Sequence, residues 1–202
     1  SAHGGTLNDV VLTAIAQGFS SLLIARAETV RDRSVRSLIP ISVRSEEEKG
    51  KLDNHVAAMF IDLPVGDMPP VERLAAIRLA TSDLKTHHAA DPTIAFAAIA
   101  DHTPPALLAL GTRVFARMDQ HSIQTITTNV PGPMQTLYAL GRRMIGAYPY
   151  VPIAGSIRIA VAIFSYAGQI CIGFTGDYET APDLDILAKG VDSGIQDLVS
   201  AS

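Results

Sequence analysis

Apolar residues recur at Leu7, Val10, Val11, Ala14, Ile15, Phe19, Leu22 and Leu23. This is the three-and-four spacing of one helix face and predicts a helix over residues 7–29. Thr6 and Asp9 stand at capping-box spacing just before it, with Asp where Glu is commoner. The run "SVRSLIPISVR" then reads as extended, with Pro40 marking an edge or a bend because proline cannot donate to a ladder. After the charged stretch "SEEEKGKLDN", "HVAAMFIDLP" reads as a second strand closed by Pro64.

"PPVERLAAIRLATSDLKTHH" predicts a helix with proline in its first turn. Val71, Leu74, Ile77 and Leu84 form its stripe, and Ala75 and Leu79 widen one side. Two shorter helical patterns follow, "PTIAFAAIAD" and "PPALLALGTRVFARM". Strands are expected over residues 123–128, 143–150, 157–166 and 169–175. The last two are joined by Ala167-Gly168, a two-residue hairpin signal. A closing helix after Pro182 carries Leu184, Leu187, Val191, Ile195 and Leu198 on one side. Helix, strands, helices, then a strand cluster and a helix predict a mixed sheet with helices packed on it, α/β or α+β in class.

Composition narrows the function classes. The 202 residues, 48% hydrophobic and 18% charged, make one domain of generous size or a large piece of a bigger one, able to bury a core. A net charge of −4 argues against a nucleic-acid footprint. The single cysteine, Cys171, excludes an internal disulfide framework. It sits in an apolar run where a buried, inert thiol is expected, and it fits a reducing compartment. "SAHGGTLNDV" lacks the basic and apolar regions of a signal peptide, and no continuous apolar run reaches the length of a membrane span. The helical stretch over residues 92–118, with Arg113 and Arg117 at one end, is either core or a lipid-surface contact.

Motifs for self-contained catalysis are missing. Gly18-Phe19-Ser20 begins like a nucleophile elbow, but Leu22 stands where the second glycine belongs. There is no phosphate loop, zinc-protease signature or paired-cysteine motif. His87, His88 and Asp91 lack further ligands for a metal and read as an exposed helix end; His55, His102 and His121 are isolated. Asn8 and Asp9 read as a helix cap or as a polar pair orienting a cleft. "TITTNVPGPMQ" is the odder stretch, a β-branched run ending at Asn129 before prolines. Asn129 either initiates a turn or presents its amide, with the hydroxyl of Thr127 or Thr128, to the oxygen of a tetrahedral intermediate.

Several of these pieces, taken in order, resemble the bacterial wax ester synthase/diacylglycerol acyltransferase family. Leu7-Asn8-Asp9-Val10-Val11 is similar to its "ND" motif, and Pro40-Ile41-Ser42-Val43-Arg44 to its "P-[VI]-S-[VL]-R" segment. Asn54 with the strand after it resembles its "N…LP" segment, and Asn129 to Pro133 its "NVPGP" signature. Tyr150, Pro152, Gly155 and "SYAG" at Ser165 resemble the strands that follow, and Asp177 and Pro182-Asp183 the family's ending.

The resemblance implies the C-terminal half of a chloramphenicol-acetyltransferase-like fold, as a single domain over residues 1–202. The partner it implies is an N-terminal half carrying the catalytic histidine on HHxxxDG. His87-His88 cannot substitute, since Pro92 and Thr93 stand where that motif needs Asp and Gly. The implied reaction moves an acyl group from acyl-CoA, a substrate, to diacylglycerol or a long-chain alcohol, with no cofactor and no metal. Thr127, Thr128 and Asn129 are the implied cleft or oxyanion contacts, and Asn8 and Asp9 the structural or cleft-orienting pair. A cytoplasmic protein, peripheral to membranes or lipid inclusions, is expected. Two alternatives stay open: a non-catalytic apolar-ligand or interaction module of the same fold, and half of a peptide-condensation domain, against which "NVPGP" argues.

Overall fold

The computed structural model describes residues 4–42, 56–87 and 123–201. A five-stranded mixed sheet is built from β1 (Ser34–Ser42), β2 (Val56–Pro64), β3 (Thr125–Val130), β6 (Ile159–Tyr166) and β7 (Gln169–Gly176). A separate two-stranded hairpin is formed by β4 (Tyr138–Ala139) and β5 (Arg142–Arg143). The order across the large sheet is β2-β1-β3-β6-β7. β1, β3 and β6 run parallel, and each outer strand is antiparallel to its neighbour.

Among the described residues three helices, α1 (Leu7–Ala25), α2 (Pro70–His87) and α3 (Leu184–Ser200), form the helical layer. Period two decides which strand residues meet it. Val35, Ile61, Leu63, Ile159, Val161 and Ile163 form one buried cluster with Leu12, Ile15, Phe19, Ile77, Leu187 and Val191 of the helices. α1 lies against α3 through small residues. A Cβ on Gly18 would fall 2.6 Å from Val191 Cγ2, and one on Gly190 2.9 Å from Gly18 Cα. α1 is long and apolar enough to cross a bilayer by composition, but most of it is buried as the central core helix.

Several sequence expectations are corrected. Residues 143–150 form no strand beyond Arg143. The chain there runs across the sheet instead, and the Pro149 carbonyl lies so close to Gly173 that a Cβ would sit 2.1 Å from it. α1 ends at Ala25, followed by Ala27 in a left-handed conformation with φ 57°. On α2, Leu74 and Ile77 are buried as expected, whereas Val71, Ala75 and Leu79 face outward. The buried stripe takes Arg73 and Thr81 in their place. Burial lowers the Arg73 pKa, with Asp67 opposing, and the guanidinium donates to the Gly66 carbonyl at 2.6 Å. Cys171 is half-buried rather than buried. The helical patterns at 92–101 and 104–118, the lipid-contact expectation placed on them, and the His55, His88, Asp91, His102 and His121 readings lie outside the described residues. So does the side chain of His87.

Pro40 has the largest consequence. β1 is not an edge strand, because β2 and β3 flank it. Its pairing with β2 runs the full length from Ser34↔Pro64 to Ser42↔Val56. Its parallel pairing with β3 covers only Ser37↔Thr125 and Leu38↔Ile126. Continued, that register would set Pro40 opposite Thr128, and Pro40 has no N–H to offer. The β1–β3 ladder stops short of that position, so among the described residues the carboxyl end of β3 is unpaired on its β1 side.

Candidate functional site

Ligand sites of open α/β sheets lie outside the carboxyl ends of parallel strands, where neighbouring connections diverge. Here that place is the end of β3, held by β6 on one side from Thr125↔Ile159 to Val130↔Phe164 and free of β1 beyond Ile126 on the other. The start of α1 lies beside it. Asn129 Nδ2 donates to Asn8 Oδ1 at 3.1 Å, and both residues are half-buried.

Asn8 is placed by the cap beneath it. Thr6 Oγ1 accepts from the Asp9 backbone N–H at 3.3 Å, and Asp9 Oδ2 accepts from the Thr6 N–H at 2.7 Å and its hydroxyl at 2.8 Å. The capping box predicted from spacing is complete. Asp9 is also a tertiary anchor: it is 4% exposed, and its Oδ1 accepts from Thr81 Oγ1 of α2 at 2.8 Å. A carboxylate near a helix N-terminus is favoured by the dipole, and burial is tolerable because these donors satisfy it. α1 and α2 are thereby locked at the end where Asn8 meets Asn129.

The three β3 candidates separate by face. Thr127 is 1% exposed and turned into the helix–sheet layer, where its Oγ1 accepts from Ser37 Oγ at 2.9 Å. It does not share the tip with Asn129. Thr125, below it, donates to the Ile159 carbonyl at 2.8 Å. Thr128 points to the opposite face and is half-buried. Asn129 lies on the helix-facing side beyond Thr127, where the layer ends. The Asn8–Asn129 bond leaves both Asn8 Nδ2 hydrogens, one Asn129 Nδ2 hydrogen and Asn129 Oδ1 without another side-chain bond among the described residues. Amide donors at the positive end of a helix suit an oxygen that is gaining negative charge.

The "VPGP" after Asn129 serves packing. Gly132 N donates to Ser165 Oγ at 3.0 Å, and a Cβ on Gly132 would sit 2.0 Å from the Ser165 carbonyl oxygen. Only glycine permits this approach, which turns the chain across β6 and away from the tip. Among the described residues no group of three or more His, Cys, Asp or Glu could hold a metal ion. Grooves of ≈510 Å³ beside Asp9 and Arg78 and ≈390 Å³ beside Phe60 and Leu84 are both outside this strand end.

Sequence reasoning missed Ser37 and Thr81. Each stands inside an apolar period, Ser37 between Val35 and Ile39 and Thr81 between Ile77 and Leu84. A hydroxyl at a core position was the available signal.

This architecture is one half of the chloramphenicol-acetyltransferase-like fold. Over 98% of its length the chain superposes on 44% of the wax ester synthase/diacylglycerol acyltransferase from Marinobacter aquaeolei VT8, at a TM-score of 0.72 and 21% identity. It also matches 40% of the first condensation domain of the calcium-dependent antibiotic synthetase, at a TM-score of 0.52 and 12% identity. The WS/DGAT C-terminal domain family matches residues 52–198, and the chain belongs to that family. A Mycobacterium tuberculosis H37Rv protein, named as a probable diacylglycerol O-acyltransferase, tgs1, is 36% identical over 197 residues. That alignment takes in 98% of this chain and 42% of the relative, so the chain spans about two fifths of the length of such relatives.

Proposed function

We propose that the chain is the acceptor-side half of an acyl-CoA-dependent O-acyltransferase, making triacylglycerol or wax esters when joined to a half carrying the HHxxxDG histidine. The observation that carries this is the Asn129–Asn8 amide pair at the carboxyl end of β3, in a chain of the WS/DGAT C-terminal domain family. The base takes the proton from the hydroxyl of diacylglycerol or a long-chain alcohol. The oxygen attacks the thioester carbonyl carbon, and the amide donors receive the resulting oxyanion. Collapse expels the CoA thiolate, which takes the proton back from the imidazolium. No step needs a metal or a cofactor, and the enzyme works in the cytoplasm at the surface of a membrane or lipid inclusion.

Most of the rate comes from holding acyl-CoA and acceptor together between two halves, so residues 1–202 alone should stay at background with acyl-CoA plus diacylglycerol or hexadecanol. The full-length protein should turn over, and Asn129→Ala in it should remove most of that turnover. An inactive, folded full-length protein would leave the non-catalytic apolar-ligand module as the surviving interpretation.

A further inference from the structure

Helix α2 carries a cation inside the core. Arg73 is 2% exposed, and its Nε has no hydrogen-bond partner among the described residues. A charge taken out of water adds little net stability, and apolar residues of similar volume often do as well in its place. Packing therefore does not account for an arginine at this position.

Its other two nitrogens join three elements. Nη1 donates to Gln17 Oε1 of α1 at 2.5 Å, and Nη2 donates to the Gly66 carbonyl at 2.6 Å. Gly66 lies in the loop that follows β2, and Val65 N beside it donates to the Arg33 carbonyl, at the start of β1, at 3.1 Å. Arg73 thus ties α1 to the sheet, the frame that also carries Asn129.

The Thr81–Asp9 hydrogen bond, at 2.8 Å, is a second tie. From Asp9 to Gln17 α1 advances eight residues, and from Thr81 to Arg73 α2 goes back eight. The helices are therefore antiparallel, with both ties in one register and about 12 Å apart along the axis. Midway, Thr13 and Ile77 are 2% and 0% exposed, and the Thr13 hydroxyl donates to the Asp9 carbonyl of its own helix at 2.7 Å.

Apolar burial is non-directional, so α1 could slide by one residue's rise, about 1.5 Å, and keep much of it. Hydrogen bonds to fixed partners do not survive such a slide. We infer that Arg73 and Thr81 are positioning residues: they set the axial register of α1 against the sheet, so that Asn8 meets Asn129. This rests on the reading of that amide pair as oxyanion donors. The Arg73 tie acts from a distance, since Gln17 lies roughly 14 Å along α1 from Asn8. Misplacing a catalytic group by about 1 Å can cost on the order of 10²-fold in rate.

The test uses the full-length protein. Arg73→Met removes the charge and keeps the volume. Its urea midpoint should hold while kcat falls, by about 3–10-fold, with KM for acyl-CoA unchanged. Thr81→Val should lower kcat likewise, and Thr81→Ser, which keeps the donor, should retain it. The double variant, Arg73→Met with Thr81→Val, should lose about 10²-fold. In an Asn8→Ala background the same changes should leave the residual turnover where it stands, because they act through Asn8. A crystal structure of the double variant, or of Arg73→Met if the double does not fold, should show the Asn8–Asn129 separation lengthened from 3.1 Å. An unchanged separation, an unchanged kcat, or equal fold-losses with and without Asn8 would overturn the inference. Acyl transfer by the wild-type protein is assayed alongside. Its absence would sink the proposed reaction, while the crystal structure still reports on the register.

Discussion

Asn129 and Asn8 stand 121 positions apart in sequence and join through a 3.1 Å amide-to-amide hydrogen bond where β3 ends and α1 begins. If their remaining N–H groups receive the oxyanion, Asn129→Ala and Asn8→Ala should each lower turnover of the full-length enzyme by roughly 10²–10³-fold. The double variant should be little worse than either single one, because the two amides act as a unit. Loss of one neutral hydrogen bond should lower stability by only about 1 kcal/mol, read by urea denaturation. A large stability loss with normal turnover per folded molecule would instead make Asn129 a turn former.

Thr127 should behave as a core residue. Thr127→Val deprives the buried Ser37 hydroxyl of its acceptor, at a cost of about 1–3 kcal/mol. Ser37→Ala combined with Thr127→Val should recover part of that loss, since neither hydroxyl is then stranded. Turnover per folded molecule should be unchanged; a large kcat loss in a stable Thr127→Val enzyme would return Thr127 to the site.

Gly132→Ala should destabilise by about 1–3 kcal/mol, the usual range for overpacking, because its methyl would meet the Ser165 carbonyl oxygen at 2.0 Å. Thermal melts compare it with Gly155→Ala. Gly155 has open space around it, so that variant carries only the strain of its positive φ.

Acid should loosen the join between α1 and α3. Arg26, at the C-terminus of α1, donates to both oxygens of Asp183, the cap of α3, at 2.8 and 2.5 Å. That hydrogen bond, and then the guanidinium charge, hold the Asp183 carboxyl below its usual value. A depressed folded pKa stabilises above the unfolded value, about 4, and that contribution is lost as pH falls through the folded value. Between pH 6 and about pH 3 the wild type should therefore lose more stability than Asp183→Asn, by urea midpoints at matched salt. Equal losses would mean the pair contributes nothing measurable.

Local features of the chain were legible without coordinates. The apolar periods of α1 and α3 placed both helices, because a single buried stripe dictates a 3.6-residue repeat. Ala167-Gly168 placed the β6–β7 turn, since a two-residue hairpin loop needs the positive φ observed at both positions, 47° and 82°. Thr6 and Asp9 predicted the cap because its bonds span three residues. The order of short motifs pointed to the family before any contact was known.

What depends on distant partners was not legible. Period two placed Thr127 and Asn129 on one face, but not how far along it the helical layer extends. That length decides that Thr127 is buried and Asn129 is at the rim. Pro40 announced a break in pairing, and only the strand order revealed that the break falls on the β3 side, beside Asn129. The apolar residues 143–150 looked like a strand because hydrophobicity reports burial without naming the partner. In the structure residues 145–150 join no ladder among the described residues, and Ile145, Tyr148 and Tyr150 face outward. Register, strand order and the reach of one element over another are long-range relations, so the tertiary structure alone decides them.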